Sequence, residues 1–481
     1  MSLTHAGRLD RIDLSTTGRR WWGLAVVVAA QFMFVVDAFI VNVAIPSIQA
    51  DLHASAAEIE AVLAVYQIAF AALVIIGGRL GDIAGRKCVL MTGVLAFTVA
   101  SLWCGLAGSG FELILGRLAQ GAAAALMVPQ VLASIHTLFP DAARGRAFAV
   151  YGIALGLGGA AGFFIGGWLV TLDIAGLGWR CVFLVNIPVG AAILLAAVRL
   201  MPATAVQSGT QLDVAGAVVL FVGLIGVIGP VMAGHDLGWA WWLWIVMSVG
   251  GMTLALFVRL QRRIKQQGGQ PLIDAALFAD HAFARGLCAA FCFHLGNTSF
   301  YLVMTLFMQN GMHYSPLESG LAVVPLALAF TLASQLAARR QARVGNRVLL
   351  EGAAVQLAGI LVVLLLVAII ERPGTATLMA ALTVFGLGQG LVMAPLAGVV
   401  LASVRRAHAG SGAGLLNTAT QAAGATGISL AGAIYFAGHA LGADRVGALA
   451  ALTVLSLTIA ATAALLIWAQ RARASRPPLP A

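Results

Sequence analysis

Charge is scarce in this chain of 481 residues: Asp, Glu, Lys and Arg make up 10% of it, against 61% hydrophobic residues. A soluble protein carries roughly 25% charged and 45–50% apolar residues, so this composition excludes a water-covered globule and points to a bilayer. No stretch between the apolar segments is long enough for a separate soluble domain. Cysteine is also sparse. Cys88, Cys104, Cys181, Cys288 and Cys292 show neither metal-ligand spacing nor an even-numbered disulfide framework and read as packing residues, so no metal is expected. The chain lacks a Gly-x-x-x-x-Gly-Lys-Ser/Thr loop, which leaves ATP hydrolysis without support. It also lacks clusters of His or carboxylates near a membrane interface, which speaks against a membrane enzyme. No cleavable leader precedes the first apolar run, so the first span is expected to stay as an anchor.

What is present is a succession of apolar stretches, each long enough to cross a hydrocarbon core of ~30 Å as a helix. They run at about 22–46, 60–80, 88–108, 112–136, 147–170, 181–201, 213–233, 240–260, 285–309, 318–338, 348–370, 375–400, 410–437 and 446–469. The fold expected is an all-α polytopic membrane protein with fourteen transmembrane helices. If the N-terminus is cytoplasmic, all of the 28 Lys and Arg except Arg117, Arg180, Arg372 and Arg445 fall in cytoplasmic loops and tails. That asymmetry predicts both termini in the cytoplasm. It also accounts for the net charge of +10 without nucleic acid, because the basic residues are scattered over short loops beside the spans. Trp239, Trp241, Trp242 and Trp244 at the start of the eighth span suit an interfacial belt.

Acids are rarer still inside the spans. Of the eighteen, Asp37 stands deep within one, while Glu112, Asp213, Glu318 and Glu351 fall near expected ends. An ionisable group in hydrocarbon costs at least about 2.5–3.5 kcal/mol, so it faces a partner or a wet cavity. At ~1.5 Å per residue, Asp37 lies about 8 Å from the outer boundary of the first span, and Arg117 about 8 Å into the descending fourth span. The two opposite charges share a depth. They are read either as a working pair or as a static ion pair that keeps two spans in register.

The chain also echoes itself. Gly85-Arg-Lys-Cys-Val-Leu90 follows the second span and Gly345-Asn-Arg-Val-Leu-Leu350 follows the tenth. Two similar six-span halves would give this spacing, with residues 1–201 and 285–481 as the bundles and 202–284 as an inserted pair of helices with its linker. The first copy lies in Gly78-Arg-Leu-Gly-Asp-Ile-Ala-Gly-Arg-Lys87. Gly81 and Gly85 are expected to let the chain turn sharply there. Asp82 is expected to meet a helix N-terminus or an Arg from a neighbouring loop in a contact that differs between two global states.

This loop resembles the signature of the major facilitator superfamily. Four further stretches are similar to motifs of its fourteen-span drug:proton antiporter family: Asp37-Ala-Phe-Ile-Val-Asn-Val-Ala-Ile-Pro46; Arg117-Leu-Ala-Gln-Gly121; Trp179-Arg180 with Phe183, Asn186, Pro188 and Gly190; and Gln309-Asn-Gly-Met-His-Tyr-Ser-Pro-Leu-Glu-Ser-Gly320 with Pro325. The fifth-span motif departs from the family pattern. Gly158, Gly162, Gly166 and Gly167 are kept and offer a smooth face for close helix packing, but Phe163 stands where the family has proline.

The resemblance implies two six-helix bundles plus two extra helices, and a proton-driven exporter of hydrophobic or amphiphilic small molecules in the inner (plasma) membrane. Such a protein needs no cofactor beyond the proton gradient, and a monomer is expected. Asp37 is then the proton site and Arg117 its modulator, and Gly78, Asp82, Gly85, Arg86 and Lys87 form the conformational-switch loop. Asn42, Gln120, His294, Asn297, Asn417 and Gln421 are candidates for the substrate pocket, with interhelical hydrogen bonding as their other reading, and His294 is also a candidate for a second proton. Spans ten and thirteen carry no carboxylate near their middles, which favours neutral, zwitterionic or monocationic cargo over dications. A dedicated exporter of one metabolite or antibiotic is the alternative on the same scaffold, with a channel or a membrane enzyme further off.

Overall fold

The structure is a computed structural model and describes residues 16–474 except 140, 203–210, 235, 371–372, 403 and 405–408. Among the described residues all regular structure is helical. The first six spans are α1 (Thr16–Leu52), α2 (Ala56–Ala84), α3 (Arg86–Leu106), α4 (Gly110–Leu138), α5 (Asp141–Leu172), and the short α6 (Cys181–Leu184) running into α7 (Asn186–Leu200). The pair α8 (Val214–Gly234) and α9 (Trp241–Gln266) follows. The last six spans are α10 (His281–Leu306), α11 (Pro316–Val344), α12 (Arg347–Ile369), α13 (Thr375–Leu401), α14 (Ala409–Ala440) and α15 (Asp444–Ala474).

Among the described residues, thirteen spans are long and apolar enough to cross a membrane. The remaining one, α14, has the length, at 32 residues, but is rich in Gly, Ala, Ser and Thr. Its composition fits its place, because α14 packs against α2 and α10, inside the protein. Small side chains let helix backbones approach where lipid gives no hydrophobic push.

The sequence punctuates the helices as physical chemistry requires. Ser55 and Glu58 form a reciprocal capping box at the start of α2, and Ser315 and Glu318 form another at the start of α11, with Pro316 in the first turn. Ser109 caps α4 and Asp280 caps α10. The acids expected near span ends all have local work: Glu112 accepts from Gly108 N at 2.8 Å, Asp213 from Gly216 N at 2.8 Å, and Glu351 pairs with Arg340 at 2.6 Å. α1 does not stop at Pro46 but continues through it to Leu52. Gly85 and Gly345, the two glycines of the sequence echo, both take positive φ (86° and 62°) between consecutive helices, so the echo marks two equivalent turns.

Helices α1–α7 pack among themselves, as do α10–α15. The two bundles meet along two long contacts, α2 with α14 and α5 with α11, and α8 lies over the first of these against both α2 and α14. One end of the molecule carries the turn at Ser55 and the other the turn at Gly85. Toward the Ser55 end α1 also meets α10: Gln309 Nε2 donates to Val43 O at 2.9 Å, and the rings of Phe39, Phe163 and Tyr301 lie 5.2–5.5 Å apart. The face of α9 is the least covered, with Trp241 and Trp244 more than half exposed.

Candidate functional site

Asp37 is fully buried, and four helices supply its surroundings. From α4, Arg117 Nη1 lies 2.8 Å from Asp37 Oδ2, and Gln120 Nε2 donates to Oδ1 at 3.2 Å. From α7, Asn186 Nδ2 donates to the same oxygen at 2.8 Å. Ser101 of α3 accepts from Gln120 at 2.7 Å and from Asn186 at 3.3 Å, and closes the cluster by donating to Phe97 O. Gln120 reaches both charges, because its Oε1 accepts from Arg117 Nη1 at 2.9 Å and from Cys104 Sγ at 3.4 Å.

Arg117 is 1% exposed. Its Nε donates to Val62 O on α2, and its guanidinium sits 4.1 Å from the ring centroid of Tyr66. A buried charge pair is favourable only when its remaining donors and acceptors are also satisfied. Here the carboxylate accepts three hydrogen bonds and the guanidinium is tied to two helices besides its own. The arrangement keeps the pair buried, with its two charges on different helices, α1 and α4. Tyr66 adds a buried hydroxyl that has no hydrogen-bond partner among the described residues.

The glycines of α5 hold the other side of α1. A Cβ on Gly158 would stand 3.0 Å from Val35, one on Gly162 2.9 Å from Phe39 Cβ, and one on Gly166 2.8 Å from Ile40 O, so the stripe seats the segment that carries Asp37. Gly167 faces the opposite bundle at Pro316 of α11. Phe163, in the place of the family's proline, is 1% exposed and braces α1 and α10 through Phe39 and Tyr301.

At the Gly85 end, the loop residues contact their own bundle. Gly85 makes the turn, but Gly81 does not: it lies inside α2, where its missing Cβ leaves room for the side chain of Gln130. Gly78 is also helical and faces Pro129. Asp82 meets Arg86 of the same motif at 3.7 Å, and Arg86 Nη1 reaches Ala133 O and Thr137 Oγ1 on α4. Lys87 Nζ donates to Val198 O and Met201 O at the end of α7. Arg79, not singled out by sequence, donates to Gln211 O and Gln270 O at 3.0 Å each, and to Pro271 O. It therefore clasps both ends of the inserted α8–α9 pair.

The remaining candidates do not converge on one spot. Asn42 donates to Ala38 O and Phe39 O of its own helix. Gln120 belongs to the Asp37 cluster. His294 Nδ1 lies 2.9 Å from Ala290 O. Asn297 donates to Phe293 O and accepts from Gln356 of α12 at 2.8 Å. Nearby, Tyr301 donates to Gln389 of α13 at 2.9 Å. Asn417 is exposed and Gln421 half-buried on α14.

Of the basic residues expected at the far side, Arg180 pairs with Asp51 at 2.6 Å, joined there by Trp179 Nε1 at 2.9 Å. Arg445 donates to Val367 O and Ala368 O at the end of α12. Arg372, Arg405 and Arg406 lie outside the described residues. Glu60, the first residue of the second apolar stretch, sits inside α2 near its start and is 1% exposed, a second buried acid beside the deeper Asp37.

The sequence pattern of the Major Facilitator Superfamily matches the chain twice, over residues 27–217 and 214–428. The chain belongs to the Major Facilitator Superfamily. It is 34% identical over 422 residues to a probable actinorhodin transporter of Streptomyces coelicolor, spanning 87% of this chain and 73% of that one. A cephamycin export protein of Amycolatopsis lactamdurans is 33% identical over 88% of this chain and 86% of its own. The multidrug resistance protein Stp of Mycobacterium tuberculosis is 30% identical over 82% and 72%. Among solved structures, a bacterial homologue of the human lysosomal transporter Spinster, inward-facing and unoccupied, aligns with a TM-score of 0.67 at 15% identity, covering 96% of this chain and 99% of that one. These relatives are named as a transporter, an export protein and a multidrug resistance protein, in line with the motifs of the sequence.

Proposed function

We propose that this protein is a proton-coupled secondary exporter of hydrophobic or amphiphilic small molecules, of the antibiotic and multidrug kind. The observation that carries the proposal is the dry Asp37–Arg117 pair at 2.8 Å, held by Gln120, Asn186 and Ser101, in a superfamily scaffold whose relatives export drugs. Asp37 takes the proton and Arg117 competes for the carboxylate. When α1 and α4 shift, the guanidinium and the proton exchange places on the same oxygen, which ties proton movement to the rocking of the bundles. Each proton driven inward through 100 mV supplies about 2.3 kcal/mol for export, without ATP or a cofactor.

Both termini face the cytoplasm in this reading, the membrane is the plasma membrane of a bacterium, and the protein works as a monomer. The Ser55 end is then the outer one, sealed between α1 and α10. The relatives named for one antibiotic, such as the cephamycin exporter, support a second reading in which a single metabolite is the cargo.

The test uses acid-loaded proteoliposomes and a pH dye inside them, with a panel of amphiphiles added to wild type and Asp37→Asn. Luminal alkalinisation that depends on the compound and disappears in Asp37→Asn is the expected result. Undiminished alkalinisation in Asp37→Asn returns the pair to a structural role. Response to one compound alone selects the dedicated exporter.

A further inference from the structure

Glu60 has a setting opposite to that of Asp37. Its side chain is as buried, yet Oε2 has no hydrogen-bond partner, and no Lys or Arg pairs with it among the described residues. It lies in the seam between the bundles: a Cβ on Gly432 of α14 would stand 2.7–2.9 Å from Glu60 Oε1, Cδ and Cγ, so the carboxyl rests directly on the backbone of the opposite half. We propose that Glu60 is a proton-operated latch of this seam, which binds a proton when α14 closes over it and returns that proton to water when α14 lifts away.

An ionised carboxylate with no counter-charge is far more expensive to bury than a neutral carboxylic acid, and such a group neutralises instead. At Gly432 the α14 backbone lies directly against Glu60 Oε1, and a proton is the smallest cation that neutralises the carboxyl there.

The other titratable and charged groups around the seam leave Glu60 unaided. On α2 itself, Glu58 is engaged in the cap with Ser55. On α14, Tyr435 and His439 both bond to Asp444. On α4, Arg117 is committed to Asp37, and Glu112 to Gly108 N. Between α8 and α9, Asp236 accepts from Ala57 N at 3.1 Å and acts on Glu60 as a like charge. Among the described residues, burial and Asp236 both oppose a second negative charge in the closed seam. Four residues into α2, Glu60 is about 6 Å from the helix start, close enough to exchange its proton with water at the Ser55 end once the seam opens.

The proton comes from and returns to the same water, so this latch adds no proton to the transport stoichiometry. It makes closure at that end easier in acid and harder as pH rises. The inference rests on the exporter reading only in taking the opening of this seam as part of a transport cycle.

The test measures the seam itself. Spin labels are placed at Ala50→Cys on α1 and Leu441→Cys beyond α14, with Cys88, Cys288 and Cys292 replaced. Distances are read by pulsed paramagnetic resonance in nanodiscs from acid to alkaline pH. The expected outcome is a short distance at low pH that gives way to a longer one as pH rises, a persistently short distance in Glu60→Gln, and a restored pH response in Glu60→Asp. A wild type that does not respond to pH overturns the latch, as does a Glu60→Gln variant that opens like the wild type. A response lost in Asp37→Asn but kept in Glu60→Gln also overturns it, assigning the sensor to Asp37 with the exporter reading intact. Failure of the exporter reading shows separately, as absence of compound-driven proton movement.

Discussion

The two bundles solve the same problem with different chemistry. In the first, α1, α3, α4 and α7 enclose a carboxylate and a guanidinium among Ser101, Gln120 and Asn186. In the second, the helices in the corresponding order, α10, α12 and α13, enclose only neutral groups: Gln356 donates to Asn297, and Tyr301 to Gln389. The repeat thus duplicates the scaffold and not the charge. A neutral cluster can stay shut through every state of a cycle, whereas a charged one changes its energy whenever a proton arrives. In the proposed exporter, proton work falls to the first half, and the second packs and shapes the cargo's path.

The strongest way to break this comparison is to remove one member of the charged pair. Arg117→Ala leaves Asp37 buried with two neutral donors, and stability is expected to fall by about 3–5 kcal/mol. Asp37→Asn combined with Arg117→Gln removes both charges and is expected to regain more than half of that loss. Thermal unfolding in detergent reads both. A double variant as unstable as Arg117→Ala would mean that shape, not uncompensated charge, sets the cost.

The second half offers the matching experiment at a smaller scale. Gln356→Leu strips Asn297 Oδ1 of its donor and is expected to cost about 1–3 kcal/mol, while Asn297→Leu with Gln356→Leu costs less than the single change. Neither variant should alter the number of protons moved per cargo molecule in proteoliposomes. A changed proton count would give the neutral cluster a share of the coupling and erase the distinction between the halves.

These clusters differ in how far the sequence exposes them. The meeting of Asp37 and Arg117 is legible because helix rise converts position into depth, and two opposite charges at one depth in apolar spans have few other places to go. Asn186 and Ser101 are not, since the direction a small polar side chain takes depends on helix rotation, which spacing does not fix. Glu60 is missed for a correctable reason. Counting apolar residues starts the second span near residue 60, but Ser55 and Glu58 spell a capping box that starts the helix at Ala56 and puts Glu60 inside it. Gly81 shows the opposite error: a glycine in a loop motif suggests a turn, yet what it supplies is space for Gln130, a residue 49 positions away. A distant partner with no charge to mark its depth emerges only once the helices are packed.

Packing supplies the most symmetrical test. Gly162 of α5 lies against Phe39 and Val36 of α1, and Gly427 of α14 lies against Leu295 of α10, the equivalent pair of helices in the other half. Gly162→Ala and Gly427→Ala each force backbone apart and are expected to cost about 1–3 kcal/mol. The larger loss is expected at Gly427, whose Cβ would stand nearer Leu295 O than the 2.9 Å between Val36 O and a Cβ at Gly162. Gly159→Ala serves as the control, because its Cβ would meet only the rim of the Phe39 ring at 3.6 Å, an ordinary contact, and should cost nothing. Losses in both halves, measured by thermal unfolding, would show that close helix contact is duplicated along with the scaffold. The proton readout should nevertheless separate them: Gly162→Ala displaces the helix that carries Asp37 and slows proton movement, whereas Gly427→Ala leaves the Asp37 cluster untouched. Equal slowing in both would mean that the rocking of the bundles, rather than the local seating of Asp37, limits the rate.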